Sequence, residues 1–309
     1  MKKGWRWRRR LLKRGGIRLA AVAAAALMAL SARPAPSSAE AGIPAEQSRP
    51  AERVVAVVID DFGNRMKGTD EMLRLPIPIT AAVMPFLPTS QADAEAAHAA
   101  GREVIVHLPM EPVRGKPSWL GPRAILTALS DEEIRLRTEA AIADVPHAVG
   151  MNNHMGSRAT ADERVMRIVL QVCKERGLFF LDSRTSYKSV VPKLARQMGV
   201  PLLQNDLFLD DVYTDKHVGG QILLLKARVQ KHDRTVVIGH VGPPGLITSG
   251  QLAAAIPALR QASVRFVKLS ELLSPSGPYS LPGAELFGSA SIGESEPGSK
   301  LPEESATSR

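Results

Sequence analysis

At six places along this 309-residue chain an acid, an imidazole or a carboxamide stands at the end of a short apolar run. Asp60-Asp61 follow Val54–Ile59, His107 follows Glu103–Val106, and Asn152-Asn153-His154 follow Ala148–Met151. Asp182-Ser183 follow Leu178–Leu181, Asn205-Asp206 lie just beyond Pro201–Leu203, and His240 follows Thr235–Ile238 across Gly239. Two histidines and one aspartate can hold a divalent ion and leave one position for water. Successive side chains at the end of a strand alternate in direction, so Asp60 and Asp61 can divide metal binding from proton transfer. A histidine from another strand can protonate a leaving amine. Each residue also has a plainer role. An Asp after a strand is often a cap or turn former, a lone His is more often a hydrogen-bonded structural residue, and Asn-Asn suits a left-handed turn. Six such ends in one chain favour a shared site.

The elements that must position these residues are legible as a pattern. The six runs, with Ile79–Met84 and Val264–Lys268, are mostly apolar on consecutive positions. That is the mark of strands buried on both faces of a parallel sheet. Helices are expected between them at Ala92–Ala100, from Ser130-Asp131-Glu132-Glu133 to about Ala143, and over Asp162–Arg176. Further helices fit Val190–Met198, Gly219–Lys231 and Ser249–Ala262. The Ser130 segment has the spacing of a capping box. Alternating strands and helices argue for an α/β fold of βα units closing into a barrel, with a doubly wound sheet as the alternative. No G-x-G-x-x-G follows the first strand, which disfavours a dinucleotide fold. Barrels of this kind converge the C-terminal strand ends, where the polar residues stand, on one face.

Charge placement excludes one class of function. The chain carries 40 Lys and Arg against 31 Asp and Glu, a formal charge of +9. Nine of the basic residues lie within residues 1–18, which hold no acid, and setting them aside leaves a neutral body. Nucleic-acid binding thereby loses its electrostatic warrant. A basic run, then the apolar residues 19–32, then Ser37-Ser38-Ala39, describe a signal peptide or N-terminal anchor over residues 1–39 and an exported protein. Residues 40–51 continue a Pro/Ala/Ser/Glu-rich composition and read as a linker, residues 52–273 as one folded domain, and residues 274–309 as a disordered tail. A membrane is contacted only through the N-terminal segment, if that segment is uncleaved. Cys173 is the single cysteine, so no internal disulfide forms, and its apolar surroundings predict a buried small hydrophobe.

Five ordered segments resemble the divergent polysaccharide deacetylase family. They are Val57-Val58-Ile59-Asp60-Asp61-Phe62-Gly63, His107-Leu108-Pro109-Met110-Glu111-Pro112, Gly150-Met151-Asn152-Asn153-His154-Met155-Gly156-Ser157, Leu181-Asp182-Ser183-Arg184-Thr185 and Ile238-Gly239-His240. The resemblance covers about residues 52–273. It implies a distorted (β/α) barrel of the glycoside hydrolase/deacetylase type with seven or eight strands. It also implies removal of acetyl groups from an envelope or extracellular glycan, with a divalent metal, most simply Zn²⁺. On that basis Asp60 is the base, His240 the acid, and Asp61 and His107 metal ligands. The better-known branch takes its next ligand from His-x3-His, but here that spacing leads from His107 to Glu111. Glu111 or His154 completes the set, and His154 is preferred because Asp/His/His suits zinc. Asp182 and Asp206 are expected to orient histidines or to form turns. Asn152, Asn153 and Arg184 are expected to meet substrate, and Arg158 or Arg184 to reach an anionic group on it. The competing reading is a non-catalytic glycan-binding or envelope scaffold protein on the same barrel, for which Trp119 is the strongest loop aromatic.

Overall fold

The computed structural model describes residues 53–273. The expected leader (1–39), linker (40–51) and tail (274–309) lie outside them. Among the described residues no helix is long and apolar enough to cross a membrane.

The chain alternates strand and helix: β1 (Arg53–Phe62), α1 (Thr69–Leu73), β2 (Thr80–Val83), α2 (Ser90–Ala99), β3 (Glu103–Met110), α3 (Asp131–Asp144), β4 (Ala148–Met155), α4 (Glu163–Glu175), β5 (Phe179–Asp182), α5 (Val191–Met198), β6 (Leu202–Gln204), β7 (Leu207–Phe208), α6 (Asp215–Arg228), β8 (Arg234–His240), α7 (Gly245–Gln261) and β9 (Val264–Val267). All strand pairs are parallel, in the order β6-β5-β4-β3-β2-β1-β8-β7. This is the expected α/β barrel, distorted and left open between β6 and β7, which end the path without pairing. One edge of β1 is shared. Residues 53–56 pair with β9 and residues 58–62 with β2.

The eight expected strands are present, and a ninth, β7, is only two residues long. Neither β7 nor the five-residue α1 is long enough to show a period. Ser130 caps α3 by accepting the Glu133 N–H at 3.1 Å. Glu133 turns its carboxylate to Arg137 one turn on, at 2.7 Å.

Alternation along the strands builds two hydrophobic layers. Val54, Ala56, Val58, Ile105, Leu181 and Ile238 belong to the cluster inside the curved sheet, which Leu269 and Leu272 close from below. Val55, Val57, Ile59, Val106, Phe180 and Val237 face outward and pack with the helices. Gly150 lies against the Phe179 ring, where a Cβ would stand 2.5 Å from ring carbons. Cys173 is buried on the helix side, its Sγ 3.8 Å from the Met151 sulfur, and burial pushes its thiol up to about 12.

Candidate functional site

The inward positions that are apolar at the base of each strand become polar at its C-terminal end. On β1 the series Val54, Ala56, Val58 continues to Asp60; on β3 Ile105 is followed by His107; on β8 Val236 and Ile238 are followed by His240. Asn152 on β4 sits opposite His107 in register. Two-residue spacing alone therefore carries these groups to one face.

Asp61 breaks the alternation. Its backbone is left-handed, with φ 71°, a conformation that Asp tolerates better than most residues. Between Ile59 and Phe62 the β1–β2 register also slips by one residue, a β-bulge. Asp61 consequently turns back toward the side that Asp60 occupies. Its Oδ1 lies 3.3 Å from His107 Nε2 and 3.1 Å from His154 Nδ1, and those two nitrogens are 3.1 Å apart.

The far sides of both rings are held. His107 Nδ1 lies 2.7 Å from Asn152 Oδ1, and His154 Nε2 lies 3.0 Å from the Trp119 carbonyl. Both partners are acceptors, so each far nitrogen carries a proton and each near nitrogen turns its lone pair inward. Asp61 Oδ1 is buried without a hydrogen-bond partner. Three electron-rich atoms at this separation repel unless protons or a cation lie among them. Asp61, His107 and His154 form the candidate metal-binding group among the described residues, and an oxygen and two imidazole nitrogens are a donor set that fits a divalent ion. The acid and the two rings also act strongly on one another's charge. Burial pushes the Asp61 carboxyl up, but the facing His107 and His154 imidazoles outweigh it and hold it well below the carboxylate range. Burial disfavours the His107 cation, yet Asp60 and Asp61 outweigh it and raise the ring above its ordinary value.

Asp60 is buried beside this group. Its Oδ1 accepts the Asn152 amide at 2.9 Å, and its Oδ2 faces His107 Nε2 at 3.7 Å. Burial raises its pKa against the pull of His107 and His240. His240 is oriented by Asp210, which is fully buried. Asp210 Oδ1 accepts His240 Nδ1–H at 2.7 Å, while its Oδ2 accepts the His240 backbone N–H at 2.8 Å and the Thr248 hydroxyl at 2.7 Å. Burial opposes the imidazolium, but the Asp210 bond together with the charges of Asp61, Asp210 and Asp60 outweighs it, and His240 rises to about 9. Phe208 stacks against this ring at 6.1 Å. Asp60, Asp61, His107, His154, Asp210 and His240 line a cleft of about 680 Å³, rimmed by the exposed rings of Trp119 and Tyr213.

The structure therefore brings together Asp60, Asp61, His107, Asn152, His154 and His240. Five expected residues, Glu111, Arg158, Asp182, Asp206 and Arg184, stand elsewhere. Glu111 is no ligand: its Oε2 accepts the Thr127 N–H and hydroxyl at 2.6 and 2.7 Å, and its Oε1 pairs with Arg158 at 3.2 Å. That pairing also occupies Arg158. Asp182 orients no histidine, because it shares the outward side of β5 with Phe180; it accepts Arg184 N–H and the Ser189 hydroxyl, both at 2.8 Å. Asp206 pairs with Arg228 at 2.5 Å and accepts Val236 N–H at 2.9 Å, tying the loop before β7 to β8. Asn152 is buried, and its amide bonds both His107 and Asp60, which gives it a positioning role at the site. Asn153 is likewise buried and staples β4 to the loop after β5 by accepting Ser183 N–H at 3.0 Å. Arg184 lines a neighbouring cavity. Asp210, which orients His240, has no sequence signal beyond its place in Leu207–Asp211.

The sequence model described as divergent polysaccharide deacetylase matches residues 57–273, which is most of the chain and all of this cleft. The chain belongs to that family. Among divergent relatives, an uncharacterised protein of Haemophilus influenzae is 36% identical over 193 residues, 62% of this chain and 68% of that one. The uncharacterised protein YibQ of Escherichia coli K12 is 33% identical over 220 residues, 71% of this chain and 67% of that one. A crystal structure of an uncharacterised protein from Agrobacterium tumefaciens C58 shares the fold, with a TM-score of 0.66 at 21% identity over 72% of this chain and 89% of that one. A divergent polysaccharide deacetylase thus presents its polar residues at the C-terminal ends of an open barrel.

Proposed function

We propose that this protein is an exported, metal-dependent hydrolase that removes acetyl groups from a cell-envelope or extracellular glycan, with Zn²⁺ as its metal. One observation carries the reading: Asp61 Oδ1, His107 Nε2 and His154 Nδ1 converge beside a buried carboxylate and a carboxylate-paired histidine. The family supports the acetylated glycan as substrate, and the basic and apolar leader composition supports export.

Asp61, His107 and His154 would hold the cation, which when bound lowers the pKa of a water toward about 7 and polarises an acyl oxygen. Asp60 takes the proton of the attacking water. Asn152 occupies Asp60 Oδ1, which leaves Oδ2 to receive that proton. Burial of Asp60 raises its basicity, which suits the task. His240 is protonated at neutral pH and gives its Nε2 proton to the departing sugar amine, while Asp210 keeps Nδ1 engaged and stabilises the cation.

The test is metal content of the purified full chain by mass spectrometry, beside His154→Ala, after incubation with Zn²⁺ and removal of the excess. The expected result is about one equivalent in the wild type and almost none in the variant, with acetate released from acetylated glycan oligomers by the wild type alone. Equal metal in both would remove His154 from the site. Metal in neither would sink the hydrolase and leave a glycan-binding or scaffold role.

A further inference from the structure

Beyond Phe208 the reaction cleft continues into a second cavity of about 380 Å³, a size within the ~300–1,000 Å³ range of small-molecule sites. Phe208 and Asp211 line both spaces. The loop after β5 divides its side chains between them: Ser183 and Thr185 face the cleft, Arg184 and Ser186 the second cavity. A polymer whose acetylated sugar lies over His107 and Asp60 thus has a built path for its next sugar.

The chemistry of that cavity is specific. Tyr187 is 96% exposed, and with Lys188 Nζ 5.9 Å from the ring centroid on one side, the other face is left for stacking. Asn205 and Gln221 add carboxamides. Its two carboxylates are already engaged, Asp206 by Arg228 at 2.5 Å and Asp211 by His217 at 2.6 Å. The Arg184 guanidinium has one hydrogen bond, at 3.4 Å to the Asn205 carbonyl, and its charge acts on Asp182 without a close ion pair among the described residues. Its backbone is nevertheless fixed. Arg184 holds φ 56°, its N–H is bound by Asp182, and Asp182 is bound in turn by Ser189. A forked cation on a fixed backbone beside an exposed aromatic ring is suited to a carboxylate on a sugar.

We infer that this cavity is a subsite for an acidic sugar, in which Arg184 pairs with a carboxylate on the residue next to the acetylated one and Tyr187 stacks on its ring. The substrate is then an acidic glycan, its carboxylate a uronate or a lactyl ether. This inference rests on the proposed function for the position of the acetylated sugar, but its test does not require turnover.

Binding of three N-acetylated tetrasaccharides to the full chain is measured by titration calorimetry at low and physiological salt. One is a neutral N-acetylglucosamine oligomer, one alternates with lactyl-bearing muramic residues, and one alternates with glucuronate. At least one acidic oligomer should bind about 10- to 100-fold tighter than the neutral one, with the advantage shrinking at higher salt. In Arg184→Asn, chosen because Asn tolerates a positive φ, the ratio should fall to about one. Arg184→Lys should keep part of it, and Tyr187→Ala should weaken neutral and acidic oligomers alike. The lactyl and glucuronate arms identify the source of the carboxylate. Equal affinities in the wild type, no binding of any oligomer, or an acidic preference that survives Arg184→Asn would each overturn the subsite. Acetate release without an acidic preference would overturn the subsite alone; acidic preference without acetate release would overturn the hydrolase alone.

Discussion

Asp60 and Asp61 are sequence neighbours, yet both carboxylates face one imidazole nitrogen: Asp60 Oδ2 is 3.7 Å and Asp61 Oδ1 is 3.3 Å from His107 Nε2. A regular strand would send them to opposite faces. The left-handed backbone at Asp61 and the bulge beside it remove that constraint. The pair can then act on one water from two sides, with different tasks. Asp60→Asn should keep the metal at wild-type stoichiometry and lower the acetate-release rate by about 10²- to 10⁴-fold. Full activity in that variant would end the assignment of Asp60 as base.

Asn152 touches both halves of the site, accepting from His107 and donating to Asp60. Its replacement by leucine removes no ligand but frees the His107 ring to rotate and change tautomer. Metal affinity, measured by competition with a chelator, should fall about 10- to 100-fold. Unchanged affinity would show that His107 is oriented by packing alone.

The His240–Asp210 pair fixes the alkaline side of the pH profile. Under the proposed reaction the acid must be protonated to act, so activity should decline as pH rises through about 9. Asp210→Asn removes the anion and returns His240 toward its ordinary value near 6.5. The alkaline limb of kcat/KM should move to lower pH, and the rate at pH 8 should drop. A limb that stays in place would assign it to another group. In the wild type the raised pKa also stabilises the fold below the unfolded value near 6.5, and that contribution fades as pH rises toward about 9.

Gly150 tests the packing beneath the site. Adding a methyl group there sets carbon 2.5 Å from the Phe179 ring. Gly150→Ala should cost about 1–3 kcal/mol in urea unfolding, and a smaller side chain at 179 in the same background should recover part of it. An unchanged midpoint would mean that the ring moves freely.

The strands were legible because burial on both faces leaves continuous apolar runs, and the site was legible where it obeys strand alternation. Asp60, His107, His154 and His240 stand at the ends of such runs. Asp182 looks identical to them in sequence but lies on the outward side of β5, a difference of one residue in phase. Asp210 was invisible for the opposite reason: it follows β7, whose two residues leave no pattern. Asp206, four residues earlier, has the same composition around it and ties down a loop instead. Asp61 joins the site by a backbone conformation that no spacing rule encodes.

The apolar layer of Val58, Ile105, Leu181 and Ile238 lies directly below the polar groups, and Leu269 and Leu272 seal it. That hydrocarbon floor disfavours a charged product on its side of the cleft. Under the proposed reaction, acetate is formed at the bottom of a vessel whose mouth is covered by the bound glycan. Its exit is then on the side by which the glycan arrives, so product release and polymer movement share one face of the barrel.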